Sequence, residues 1–259
     1  MYETFTSASK LANNQPSEAD RRARAQSPIT LFCIPHAGGG ASAYRNWANA
    51  LAPHVTVKLV QSRGRESRLR EPPLTELATV LEDLYRFVEP EATRPFAFLG
   101  HSMGALLSLE LAHKLRSQTG RVPVHLFMSA CRAPSLAQLD THCSAWPQAQ
   151  FVGEVMRRYG GFPSQVLADA EFMAAILPAM RADFAILERY RAPERPPLEC
   201  PITLFAGRND ITTPQAALED WQRQTSGRFS LVMLDAGHFY LQEKRAVMVS
   251  KILHSLSLA

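Results

Sequence analysis

The chain is predicted to be an α/β protein, a mostly parallel sheet with helices on both faces and a helical insertion in its second half. Three observations predict it. Short apolar runs of strand length recur at 29–34, 55–60, 95–99, 122–130, 202–206 and 229–234, separated by stretches of helical spacing. From 131 to 197 the strand signal stops and only helical patterns remain. The 259 residues, 46% of them hydrophobic, suffice for one large domain with a sizeable core.

Residues 1–27 are polar, and a disordered extension with no catalytic role is expected there, followed by the folded domain over 28–259. The first strand, 29–34, runs into Pro35-His-Ala-Gly-Gly-Gly40. That loop is so poor in side chains that its N–H groups are expected to be free to face a ligand. A helix is predicted over 42–51 and a strand over 55–60. Arg63, Arg65, Arg68 and Arg70 then crowd one loop, which reads either as a solvated surface or as a docking site for an acidic partner. Leu77, Leu81, Leu84 and Val88 line one face of a helix over 75–88, with Thr75 as its candidate cap.

Next come the strand 95–99, a turn, and a helix on which Leu106, Leu109, Ala112 and Leu115 recur at helical spacing, with Gly120 as its stop signal. A strand over 122–130 precedes the insertion. Within the insertion, 151–159 and 170–190 are helical, the second expected to break near Pro178. A helical insert between two strands of such a sheet reads as a lid, here about 132–197. The alternation resumes with a strand at 202–206, a helix over 213–225, the last strand at 229–234 and a closing helix over 239–256.

Composition narrows the function. A formal charge of +4 is mildly basic, and no segment resembles a nucleic-acid-binding module. No apolar run has transmembrane length, and the N-terminus lacks the layout of a secretory signal, so a cytoplasmic protein with no membrane or nucleic-acid partner is expected. Cys33, Cys131, Cys143 and Cys200 have no metal-binding or disulfide spacing. No metal or redox cofactor is expected.

The chemistry centres on Gly100-His-Ser-Met-Gly104, which matches G-x-S-x-G between a strand and a helix. In this elbow a tight reversal lifts a serine hydroxyl above the sheet, and side chains at Gly100 or Gly104 would collide with neighbouring backbone. A serine hydroxyl needs a base, and the base a third group that holds its tautomer. The partners should follow as acid and then histidine on loops after later strands. His238 directly follows the last strand and is the candidate base. Asp210, after the strand 202–206, is the candidate acid, with Asp235 as the alternative. His36 and His101 border the site but precede Ser102 and read as local hydrogen-bonding or packing residues. Backbone N–H groups of Met103 and Ala37 are the candidate oxyanion donors.

From Leu31 to Leu241 the chain resembles the type II thioesterases that accompany nonribosomal peptide and polyketide synthases. The resemblance is carried by Leu31-Phe-Cys-Ile-Pro-His-Ala-Gly-Gly39, Gly100-His-Ser-Met-Gly-Ala105, Leu177-Pro-Ala-Met-Arg-Ala-Asp-Phe184, Phe205-Ala-Gly-Arg-Asn-Asp210 and Gly237-His-Phe-Tyr240. It implies an α/β-hydrolase with a mobile helical lid, acting as a monomer. It also implies hydrolysis of acyl thioesters on the phosphopantetheine arm of carrier-protein domains. Ser102, Asp210 and His238 fall on the family's triad positions, Ala37 and Met103 on its oxyanion-hole positions. One departure is Val60-Gln-Ser-Arg-Gly-Arg65, where relatives carry a Leu-Pro-Gly-Arg type loop, so the nearby mouth is expected to differ. The competing readings are a general carboxylesterase and a carrier-binding module without activity.

Overall fold

A computed structural model describes residues 28–139, 141–160 and 167–256. The predicted N-terminal extension, 1–27, lies outside the described residues. Strands β1 (Ile29–Ile34), β2 (Val55–Leu59), β3 (Phe96–His101), β4 (His125–Ser129), β5 (Ile202–Gly207) and β6 (Phe229–Leu234) form one sheet in the order β2-β1-β3-β4-β5-β6. Every pairing is parallel. Helices α1 (Trp47–Leu51), α2 (Leu77–Val88), α3 (Met103–Thr119), α4 (Gln148–Tyr159), α5 (Ala170–Arg189), α6 (Gln215–Glu219) and α7 (Arg245–Leu256) complete it.

Side chains alternate across the sheet because successive Cβ atoms point to opposite faces. Phe32, Ile34, Phe98, Leu126, Met128 and Leu204 pack under α2 and α3. Leu31, Cys33, Leu99, Phe127 and Phe205 pack against α1 and α7 through Trp47, Leu51, Met248 and Ile252. The insertion has its own small core, in which Cys143, Phe151, Val155, Met173, Leu177, Met180 and Phe184 join α4 to α5.

Several boundaries differ from expectation. The helix predicted over 42–51 is a 3₁₀ turn, Ala41–Tyr44, followed by α1, because Asn46 turns left-handed at φ 66°. Glu76, not Thr75, occupies the N-cap of α2, with no side-chain cap bond. Helix α5 runs through Pro178 unbroken. Proline removes one N–H, but Leu177, Ala179 and Met180 around it are buried, and that packing holds the helix in line. The strand predicted over 122–130 shortens to β4, and the closing helix begins at Arg245 rather than 239. The helix predicted over 213–225 becomes α6 and a 3₁₀ turn, Asp220–Gln224, with Pro214 at the N-cap.

The chain switches direction across the sheet between β1 and β3, whose neighbouring C-terminal ends are aligned at Ile34 and Gly100. Loops leaving adjacent strands at such a point diverge and open a crevice, the usual place for a ligand in an open α/β sheet. The loop 35–40 and the Ser102 turn flank that crevice.

Candidate active site

Ser102 sits between β3 and α3 at φ 56°, ψ −120°, a conformation that costs a non-glycine residue about 1–3 kcal/mol. The cost is met by a backbone hydrogen bond from Ser102 N–H to the Ser129 carbonyl, 2.7 Å, and by close packing. A Cβ on Gly104 would run into the Ile34 and Pro35 carbonyls, and one on Gly100 into the Gly104 backbone. The expected collisions are therefore real, and they press α3 against the ends of β1 and β3. Helix α3 also aims its N-terminal partial charge at the serine.

The other two groups come from the far side of the sheet. Strands β5 and β6 align Gly207 with Leu234, so the loops that follow them lie side by side. His238 Nε2 is 3.1 Å from Ser102 Oγ, and His238 Nδ1 is 2.7 Å from Asp210 Oδ2. The remaining Asp210 oxygen, Oδ1, accepts from Thr212 N–H at 2.9 Å and from the Thr212 hydroxyl at 2.6 Å. Burial alone would raise the Asp210 carboxyl, but the hydrogen bond and charge of His238 and the two Thr212 bonds outweigh it. The group is held below the usual carboxylate range. Asp235 is exposed and bonds only weakly to Asn209, at 3.4 Å, so the alternative acid is set aside.

His36 and His101 flank this relay without joining it. The His101 ring stands 5.4 Å from His238 and 5.9 Å from His36. A buried chain of hydrogen bonds runs from His101 Nδ1 to the Ser129 hydroxyl, on to the Tyr240 hydroxyl, and ends at the Phe205 carbonyl. It braces β3, β4 and β5 beneath the serine. Burial, then the charges of His238 and Arg65, lower the His36 imidazole to about 4. Burial, then His238 and His36, push His101 well below the ordinary histidine value. Both are neutral near pH 7. From the insertion, the Tyr159 ring packs 4.8 Å from His238.

The loop after β1 is less free than its sequence suggests. Gly38 N–H donates to Asp183 Oδ2 at 2.7 Å, Gly39 N–H to the His36 carbonyl at 2.9 Å, and Ala41 N–H to Gln61 Oε1 at 3.0 Å. Ala37 N–H and Met103 N–H donate to no acceptor among the described residues. The arginine-rich loop is partly solvated, with Glu66, Ser67 and Arg70 exposed, and most of its arginines are paired. Arg65 is buried in an ion pair with Asp183, and Arg63 and Arg68 pair with Asp83 and Glu71. Among the described residues, Arg70 alone of the four arginines has no ion pair.

Above Ser102 and His238 opens a cavity of about 710 Å³. Its floor is the 36–40 loop and its roof is the apolar side of α4 and α5, including Val155, Phe172, Ile176, Met180 and Phe184. That size and lining suit an extended apolar acyl group. Sequence reasoning missed Thr212, Asp183 and Tyr159. A threonine two places after a loop aspartate is a detectable hydrogen-bonding signal, and Asp183 is a lone acid on an apolar helix face. Nothing in the sequence points to Tyr159.

Fold and strand-end geometry place the chain among the α/β-hydrolases. Residues 29–256 match the family model described as thioesterase domain. The chain is 43% identical to the gramicidin S biosynthesis protein GrsT of Aneurinibacillus migulanus over 89% of its own length and 90% of that protein's. The RedJ thioesterase from the prodiginine pathway in Streptomyces coelicolor superposes with a TM-score of 0.82 at 34% identity, covering 90% of this chain and 87% of RedJ. The type II thioesterase BorB from the borrelidin biosynthetic cluster gives 0.79 at 32% identity, covering 90% and 92%. The chain belongs to the thioesterase family and is a hydrolase of thioesters.

Proposed function

We propose that this thioesterase removes acyl groups from the phosphopantetheine arm of carrier-protein domains, with Ser102 as nucleophile, His238 as base and Asp210 as its orienting acid. The observation that carries the reading is the continuous relay from Asp210 Oδ2 through His238 to Ser102 Oγ, at 2.7 and 3.1 Å, at the floor of a largely apolar cavity. His238 Nε2 takes the hydroxyl proton as Ser102 Oγ attacks the thioester carbonyl. Asp210 keeps the other ring proton on Nδ1 and stabilises the imidazolium. The N–H groups of Ala37 and Met103 face the oxyanion. The carbon–sulfur bond breaks as the imidazolium gives its proton to the leaving pantetheine sulfur. His238, neutral again, deprotonates the water that attacks the acyl-enzyme and returns that proton to Ser102 Oγ as the acid leaves.

GrsT, RedJ and BorB are named for pathways of assembled natural products, which supports an editing role beside a nonribosomal peptide or polyketide synthase. In this reading the segment 132–197 is the lid, and the enzyme acts as a monomer in the cytoplasm. No helix among the described residues is long and apolar enough to cross a membrane. The test compares kcat/KM for an acyl group loaded on a carrier protein with that for the same acyl group as a simple oxygen ester. The carrier thioester is expected to win by at least about tenfold, since thiolate is the better leaving group and the carrier adds contacts. A preference for the oxygen ester overturns the reading.

A further inference from the structure

Among the described residues, Asp183 and Arg65 form the most buried ion pair away from the triad, with both side chains 7% exposed. The pair is bidentate: Arg65 Nη1 lies 2.6 Å from Asp183 Oδ2, and Nη2 lies 3.1 Å from Oδ1. Asp183 lies on α5 in the insertion, whereas Arg65 lies in the loop after β2. Between them runs the 36–39 turn. Asp183 Oδ2 accepts the Gly38 N–H at 2.7 Å, and Arg65 Nη1 donates to the Gly39 carbonyl at 3.3 Å. One acid and one base thus grip two successive residues of the loop that begins with Ala37.

The turn itself shows what the grip does. Gly39 N–H returns to the His36 carbonyl at 2.9 Å, and Gly38, third of the four residues, has φ +73°. That is the requirement of a type II turn. Type I and type II turns differ by a flip of the central peptide, here Ala37–Gly38. A flip would swing Gly38 N–H away from Asp183 and change ψ at Ala37 but not φ, so the carboxylate selects the type II form. The Ala37 N–H, on the peptide before, is placed by the anchoring of the whole turn. Replacing a buried ion pair by apolar residues is often no loss in stability, so stability alone gives no reason for this one. Its contacts with the loop do.

We propose that Asp183 is a positioning residue for the reaction: from the insertion it fixes the turn that presents the Ala37 N–H to the oxyanion, and Arg65 fixes Asp183. The proposal rests on the reading of Ala37 as a donor. It makes the seating of α5 a condition for a formed oxyanion hole, so that the roof of the cavity and the catalytic floor are set together.

The experiment compares Arg65→Met/Asp183→Asn with Arg65→Met/Asp183→Ala in the full chain. Neither double variant leaves a buried charge unpaired, and they differ in whether Gly38 N–H keeps an acceptor. The readouts are kcat, KM and the affinity for an acyl trifluoromethyl ketone, which Ser102 converts to a tetrahedral oxyanion. The Asn variant keeps the acceptor but loses Arg65's hold on it, and is expected to lose no more than about tenfold in kcat. The Ala variant should lose roughly 10²-fold in kcat, in line with a displaced catalytic group, with KM within about twofold and a parallel loss of ketone affinity. Equal kcat in the two variants, or a loss confined to KM, overturns the proposal. The single variants Asp183→Asn and Asp183→Ala give the same contrast should the double variants fail to fold. Ala37→Pro separates the two layers: if it keeps full turnover the donor reading itself fails, and if it is inactive while the paired variants match, only the role of Asp183 fails.

Discussion

The strand-end loops and the helical insertion are held in place by different physics. Ser102, Asp210 and His238 stand within three or four residues of the ends of β3, β5 and β6, and parallel register brings those ends together. Backbone contacts as tight as Gly104 against Ile34 leave them little freedom. The insertion is tied on by the packing of Ile186, Leu187 and Tyr190 into the main core and by a few discrete polar links. Arg65–Asp183 joins residues 118 positions apart, Arg195–Glu110 joins residues 85 apart, and Tyr190–Glu110 joins residues 80 apart. In the proposed mechanism chemistry is built on the strand-end loops, and the cavity proposed to receive the acyl group is roofed by the insertion.

That division predicts that changes on the two sides separate. On the sheet side, His238→Ala should cut kcat by about 10⁴–10⁶-fold and leave the thermal midpoint nearly unchanged. A large loss of stability would mean that the relay is part of the scaffold. Asp210→Asn should cost about 10³–10⁴-fold in kcat near pH 7, because the amide no longer holds the ring proton on Nδ1. Turnover within tenfold of wild type would return attention to Asp235.

On the insertion side the effect moves to stability. Glu110 on α3 is buried and accepts from Arg195 at 2.6 and 2.8 Å and from the Tyr190 hydroxyl at 2.8 Å. Arg195→Ala should destabilise by about 2–4 kcal/mol in denaturant unfolding, the upper end being reduced because Arg195 is partly exposed. Its kcat should fall less than tenfold in the residual folded protein. A larger fall would show that the sheet and the insertion are not separable there.

Acid should expose the sheet side first. His36 and His125 are lowered to about 4, chiefly by burial, and His101 lies well below the ordinary value. An unfolded chain takes up these protons from about pH 6.5, the folded chain only near pH 4 or below. The unfolding free energy should therefore be flat only between about pH 7 and 8 and decline from about 6.5 downward. Asp210, whose carboxyl is held low, adds a further loss only below the usual carboxylate range. A profile flat to pH 4 would contradict the buried neutral histidines. The smallest effect belongs to Arg157→Ala, an exposed partner of Glu154 on α4, which should change neither turnover nor thermal midpoint.

The same contrast explains what was legible in the sequence. Glycine spacing, apolar runs and strand-end placement are local signals, and they located the six strands, the Ser102 turn and the order of Asp210 and His238. Long-range polar pairing leaves no local trace. Arg65 reads as one more loop arginine until Asp183 is seen against it, and Tyr159 reads as the end of an amphipathic helix until His238 is seen beneath it. Helix ends were misjudged where a cap or packing decides: Asn46 divides one predicted helix, and buried neighbours carry α5 through Pro178.

In the proposed mechanism Ser102 is a nucleophile made reactive by His238. A fluorophosphonate probe followed by peptide mapping tests it most directly. One adduct is expected on the wild-type chain, on the peptide that bears Ser102, absent in Ser102→Ala and formed at least about 10²-fold more slowly in His238→Ala. Labelling that persists in Ser102→Ala, or that proceeds at an undiminished rate in His238→Ala, would contradict it.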